Sequence, residues 1–243
     1  MSLFSKLTTD GIEEQTDRLG GGFSALDHNI YSGKLKALYA ITAASGAMGV
    51  VILFEHAGGE YRETVYVTNK KGENFYVKDG KKQPLPGFTT VNNICVIATG
   101  KPLSEQDIED KVFNIYDKEA QKELPKSVPT LVETMGQEIS FGILKYLEDK
   151  TKLEGNAYVP TGETRDTNQI NAVFHTETHS TLLEAEKSQD PEFWDKWLEK
   201  YVGAPAIDKT TKGGSAAGGK PAGGAPQAAA GQAAARPSLF NKK

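Results

Sequence analysis

The chain has 243 residues with a formal net charge of −4, one cysteine and four histidines, 38% hydrophobic residues, and no apolar run of membrane-spanning length. One cysteine excludes a disulfide framework, and the N-terminal MSLFSKLTTDG lacks the apolar core and cleavage site of a signal peptide. Charge is unevenly placed. Six Lys/Arg against one Asp from Gly203 onward give +5, which leaves −9 for residues 1–202, so an anionic ligand needs a local cationic patch.

In chain order, residues 1–29 read as an extended polar arm, and Gly20-Gly21-Gly22 lacks the Gly-Lys-Ser/Thr ending of a phosphate loop. Ile30 to Thr42 reads as a long strand with Tyr31, Leu35, Tyr39 and Ile41 on one face and Lys34 and Lys36 on the other. Ala43 to Gly49 is a small-residue turn, and Val50 to His56 is an apolar strand central to a sheet. Glu60 to Lys78 predicts a hairpin: a strand Tyr61–Val67, a basic turn Thr68–Glu73, and a return strand Asn74–Lys78. Alternation sets Val65 and Val67, then Phe75 and Val77, toward a core. It sets Arg62, Thr64 and Tyr66, then Tyr76 and Lys78, toward solvent, with Lys70 and Lys71 at the tip. Tyrosines among cations suit a single-strand nucleic-acid groove, since aromatic faces stack bases and cations meet phosphates. An ordinary amphipathic hairpin with a solvated turn has the same pattern.

Lys81 to Pro86 reads as a basic loop. Thr89 or Thr90 caps a short helix carrying Val91, Ile94, Cys95 and Ala98 at helical spacing, ended by Gly100. Lys111 to Asp117 is a strand, Ser127 to Met135 a turn or short helix, Glu138 to Leu147 a covered strand, and Gln169 to His175 the last strand. Thr181 with Glu184 forms a capping box, and Asp190-Pro191 opens a second helix. Its stripe of Phe193 or Trp194, Trp197, Leu198 and Tyr201 is a docking face onto the body. From Gly203 the Gly/Ala/Lys composition predicts disorder, broken near the end by Leu239-Phe240. The expected fold is mainly β with a few short helices: an OB-fold five-stranded barrel over residues 1–202, helices over 178–202, and a tail over 203–243.

Catalytic signatures do not stand out. His175 and His179 in HTETH are four apart, but the Glu falls one position late for a zinc helix. Neither a Walker loop nor a GxSxG or Cys–His nucleophile pattern is present, so neither metal, cofactor nor catalytic residue is expected, and a binding protein fits better than an enzyme.

Several ordered stretches carry a resemblance. YVTNKKGENFYV, LPGFTTVNNICVIATGKPLSE, KVFNIYD, ELPKSVPTLVE, PTGETR and VFHTET together resemble the single-stranded DNA-binding proteins of tailed bacteriophages over roughly residues 1–202. The resemblance implies an OB-fold and sequence-independent coating of single strands in phage replication, recombination and repair, in the cytoplasm of the infected bacterium. By position, the Tyr66–Tyr76 hairpin and the Lys34/Lys36 strand would then line the groove. Many single-strand binders end in an acidic tail, and this tail is basic. Arg236-Pro237-Ser238-Leu239-Phe240 resembles the pentapeptide that enters the bacterial sliding-clamp pocket, which makes phage polymerase, a recombinase or the host clamp the expected tail partners. The other reading of the tail is a plain disordered end. A second function class remains open: a replisome or recombination adaptor whose sheet face binds protein.

Overall fold

The computed structural model describes residues 25–117, 120–155 and 157–211. The described chain is mainly β with few, short helices. Ten strands form in the order β1 (Asn29–Thr42), β2 (Met48–His56), β3 (Gly59–Tyr66), β4 (Phe75–Lys78), β5 (Lys81–Pro84), β6 (Ile108–Asp117), β7 (Lys122–Leu131), β8 (Glu138–Glu154), β9 (Ala157–Phe174) and β10 (Ile207–Asp208). Three α-helices interleave them: α1 (Pro86–Thr99), α2 (Leu182–Glu186) and α3 (Glu192–Tyr201).

The sheet runs β10-β8-β1-β2-β3, with β9 on β8, β7 on β1 and β6 on β7. Its inner face carries Leu35, Leu38, Ile52, Phe54, Val65, Phe141 and Ile143, and α1 closes this core with Val91, Ile94 and Cys95 fully buried. Burial pushes the Cys95 thiol up to about 12, so it packs as a small apolar group. The helix starts earlier than its threonines suggest. Leu85 is the N-cap and Pro86 opens the first turn, while Thr89 and Thr90 bond back to carbonyls four residues upstream. Gly100 ends it in the left-handed region, as expected.

Strict alternation fails in β1. Lys36 is an extra residue opposite β2, between the pairs Leu35–Phe54 and Ala37–Leu53. That bulge turns the faces over: Leu35 and Leu38 enter the inner core, while Ala37 and Tyr39 face outward with Val51 and Leu53. Leu35 and Tyr39 therefore do not share a face. The outward patch is covered by the β6–β7 hairpin through Phe113, Ile115 and Val128. Residues 122–131 are a strand where the prolines suggest a turn or helix. Pro125 and Pro129 are tolerated because β7 is an edge for most of its length, meeting β1 only at Thr130.

Among the described residues no ladder closes the sheet into a barrel, and the strands outnumber the five expected. A hydrogen-bonded side chain bridges β3 and β9 instead. Glu63 Oε2 accepts from the Ile170 backbone N–H (2.8 Å) and from the Tyr61 hydroxyl (2.8 Å). Burial raises the Glu63 carboxyl to about 7, against the pull of these hydrogen bonds and of Lys209. A raised folded-state pKa means stability present below the ordinary range near 4.5 and lost as pH climbs through 7. The loss amounts to about 3 kcal/mol. Glu63→Gln is expected to abolish this fall, leaving denaturant midpoints at pH 5 and pH 8 alike; an unchanged pH dependence would place the effect elsewhere.

The far face of β8 and β9 takes the C-terminal helices. Trp197 is 1% exposed, lies against Gly142, and donates from its indole nitrogen to Asn171 (2.8 Å). Trp194, Leu198 and Tyr201 join it on Phe174, Leu144 and Tyr146, and the Thr181–Glu184 capping box forms. Phe193 stays partly exposed. The chain leaves the body later than the composition break at Gly203. Ile207 packs in this cluster, β10 pairs in parallel with Tyr146–Leu147, and Lys209 lies over the Tyr146 ring.

Candidate nucleic-acid interface

Glu60 to Lys78 is not one hairpin. β3 pairs with β2, from Gly49–Tyr66 to His56–Gly59, whereas β4 pairs with β5. Two turns explain it. Asn69 Oδ1 accepts from the Lys71 and Glu73 backbones and closes a compact loop that does not return the chain to β3. Asp79-Gly80 then makes a tight turn with φ of 51° and 71°, the combination of a type I′ hairpin. The result is a finger, residues 67–85, that leaves and rejoins the body beside Tyr66. Val67 donates to Met48 on β2, and Leu85 donates to Asn74 across the finger. Gly87 lies so close to the Tyr66 carbonyl that a Cβ there would be 2.2 Å from it.

The β1–β2 turn flanks the finger: a Cβ on Gly46 would lie 3.6 Å from the Lys70 carbonyl. On the finger Lys70, Lys71, Lys78, Lys81 and Lys82 are exposed and form no ion pair among the described residues; Lys82 lies 4.1 Å from the Phe75 ring centre. Glu73 is held by the Asn69 amide, and Asp79 sits in the turn. Tyr76 is 45% exposed and Val77 64%, so Val77 does not face a core as its alternation suggested. The strand is too short and too far from the sheet to bury either face.

The outer face of β3 holds Arg62, Thr64 and Tyr66, as alternation placed them. Arg62 Nη2 donates to the Tyr39 hydroxyl (3.0 Å), whose pKa burial raises, and Tyr39 stacks on Phe113 with ring centres 5.4 Å apart. Tyr66 is half-buried across Gly49, its ring 3.2 Å from where a Cβ would stand. Arg62 and Tyr66 thus lie at the margin of Tyr39, which is 1% exposed beneath the β6–β7 hairpin.

Lys34 and Lys36 sit apart from this. Lys34 faces Glu138 (3.8 Å) and Lys36 faces Glu60 (2.5 Å), at the start of β3. Tyr66 and the finger lie at its other end, about 20 Å away at the usual strand rise. The structure therefore places Lys70, Lys71, Tyr76 and Lys78 on one finger, with Tyr66 at its base and Arg62 four residues back along β3, and leaves Lys34 and Lys36 in a separate, ion-paired position. Lys81, Lys82 and Phe75 join the finger; the Asp-Gly step between two lysines was the local signal for them. Leu239 and Phe240 lie outside the described residues.

The two histidines of HTETH make contacts within the chain. His175 Nδ1 accepts from Thr178 N–H, and His179 stacks on Trp194 at 4.0 Å. Among the described residues no three His, Cys, Asp or Glu side chains gather as a metal-holding group, and no helix is long and apolar enough to cross a membrane. No family model matches the chain, and no curated protein matches it.

Proposed function

We propose that this protein binds single-stranded DNA without sequence preference, coating it during phage replication, recombination and repair, and that it is not an enzyme. The observation that carries the reading is the finger: five exposed lysines without carboxylate partners among the described residues, beside Tyr76, on an acidic body whose other lysines are mostly ion-paired. Cations left unneutralised in one place are what a polyanion needs, and adjacent aromatic faces add stacking that every base satisfies.

The strand order supports an OB-fold reading. β1-β2-β3, then α1, then β8 on the other side of β1 with β9 beyond it, follow the order of a five-stranded Greek-key barrel. The β3–β9 seam is bridged by Glu63 rather than by a ladder, and β6–β7 is an insertion before β8. In such folds the face of the second and third strands and the neighbouring loops hold oligonucleotides, which here means Arg62, Thr64, Tyr66 and the finger. Leu239 and Phe240 are the proposed link to polymerase, recombinase or clamp.

The test is a gel-shift series on single-stranded DNA, duplex DNA and RNA of equal length over a range of salt. Strong retention of single strands that weakens steeply with salt is expected. Absence of salt-sensitive binding would favour the adaptor reading, with the sheet face taking protein. Within the site, Tyr76→Ala is expected to cost about 1–3 kcal/mol of single-strand affinity without loss of stability, the usual worth of one stacked base. Tyr66→Ala is expected to cost a similar affinity and also some stability, because its ring covers Gly49. Equal affinity in both variants, measured by fluorescence titration, would move the stacking surface elsewhere.

A further inference from the structure

We propose that β6 is a self-complementary edge through which two copies of this chain pair. Among the described residues β6 bonds only to β7, so every second one of its ten residues presents a backbone donor and acceptor on the open edge. Free edges are normally protected. The β7 edge is: Pro125 and Pro129 cannot donate into the β6 ladder, so their nitrogens face outward, where they offer no N–H to a further strand. The β6 edge carries no proline, and its outer face shows an apolar row of Ile108, Val112 (66% exposed) and Tyr116.

The residue order selects a second copy as the occupant. A two-fold axis at Val112 pairs β6 with itself antiparallel, with both outer faces on the same side. Ile108 then lies opposite the second copy's Tyr116, Val112 opposite Val112, and Asp110 opposite Asn114. On the inner side Lys111 meets Phe113, and Glu109, already paired with Lys111 (2.7 Å), meets Ile115. No like charges within the strand face each other. Only alternate registers, those with the axis on a residue, keep the outward N–H groups opposite carbonyls. An axis at Lys111 sets that lysine against itself, and an axis at Phe113 sets Glu109 against Asp117. An axis at Asp110 sets that aspartate against itself, and an axis at Asn114 leaves Ile108, Glu109 and Asp110 without partners in the strand. Apolar complementarity and charge thus favour one register, which gives a closed, isologous dimer.

Sedimentation and light scattering of the full-length protein, free of nucleic acid, test this. A species of twice the 26.3 kDa chain mass is expected, with association weakened roughly tenfold or more in Val112→Lys, where two cations would meet on the axis. Val112→Cys is expected to form a disulfide-linked dimer under mild oxidation, since Cys95 is buried and does not compete. Asn114→Cys, four residues from its own mate in this register, is expected not to cross-link. Val112 is exposed, so none of these variants disturbs the core. A wild-type monomer at every concentration, a dimer indifferent to Val112→Lys, or equal cross-linking at both cysteines overturns the proposal. None of these outcomes depends on whether DNA is bound.

Discussion

Replacing Lys70, Lys71, Lys78, Lys81 and Lys82 together by glutamine is expected to flatten the plot of log affinity for single-stranded DNA against log salt. Each lysine–phosphate pairing removed on a single strand takes roughly 0.7 off the slope, so five such pairings account for up to about 3.5. The effect should be largest at low salt, where counterion release drives association. The same exchange at Lys34 and Lys36 is expected to change the slope less. Each already faces a carboxylate, Glu138 or Glu60, which a phosphate must displace. Circular dichroism should be unaltered in the fivefold variant, because none of these side chains packs in a core cluster. A slope that falls equally in both variants would spread the phosphate track along the whole sheet. A slope that does not fall in the fivefold variant would make the finger solvated surface.

Trp197→Ala is expected to destabilise the protein by about 3–5 kcal/mol, the usual cost of removing a buried aromatic. Three losses coincide. The ring leaves a void against Gly142, where nothing larger than glycine fits beside the indole. Asn171, the extra residue of the β9 bulge, loses its indole donor. The cluster that holds Ile207, and hence β10, loses its largest member. Denaturant unfolding measures the first two, and hydrogen exchange at Tyr146 and Leu147 reports the third. A midpoint shift worth less than about 1 kcal/mol would mean that α3 is a loosely held appendage, contrary to its burial. Single-strand affinity of the folded fraction should be unaffected, because α3 packs on the face of β8 and β9 away from the finger.

The elements most legible in the sequence are those with a local cause. The spacing of Val91, Ile94 and Cys95 with Gly100 behind them identifies α1, and the stripe from Trp194 to Tyr201 identifies the docking face of α3. The apolar run Val50–Phe54 reads correctly as a central strand. The distal halves of β8 and β9 do not read at all. Residues 148–154 and 158–165 are mostly polar, and Leu153 and Tyr158, which interrupt them, stand exposed, so this ribbon has no hydrophobic period to detect. The β6–β7 hairpin is half legible, because prolines argue against a strand unless its edge is free.

The candidate site divides in the same way. The sequence by itself determined which residues face outward on β3, that the segment from Lys70 to Lys82 is cationic, and that an acidic body confines any polyanion to such a segment. It also contained the Asp79-Gly80 turn that pairs β4 with β5, since turn chemistry depends on two residues and their neighbours. Only the tertiary structure decided that β3 and β4 are not partners, that the Lys36 bulge reverses the faces of β1, and that Lys34 and Lys36 are met by Glu138 and Glu60. It alone set Glu63 across the β3–β9 seam, more than a hundred residues from Ile170. The physical reason is range. Periodicity and turn propensity act over a few bonds and are written in the chain, whereas strand partners, ion pairs and the burial that raises a carboxyl's pKa arise between segments that meet only when the sheet has formed.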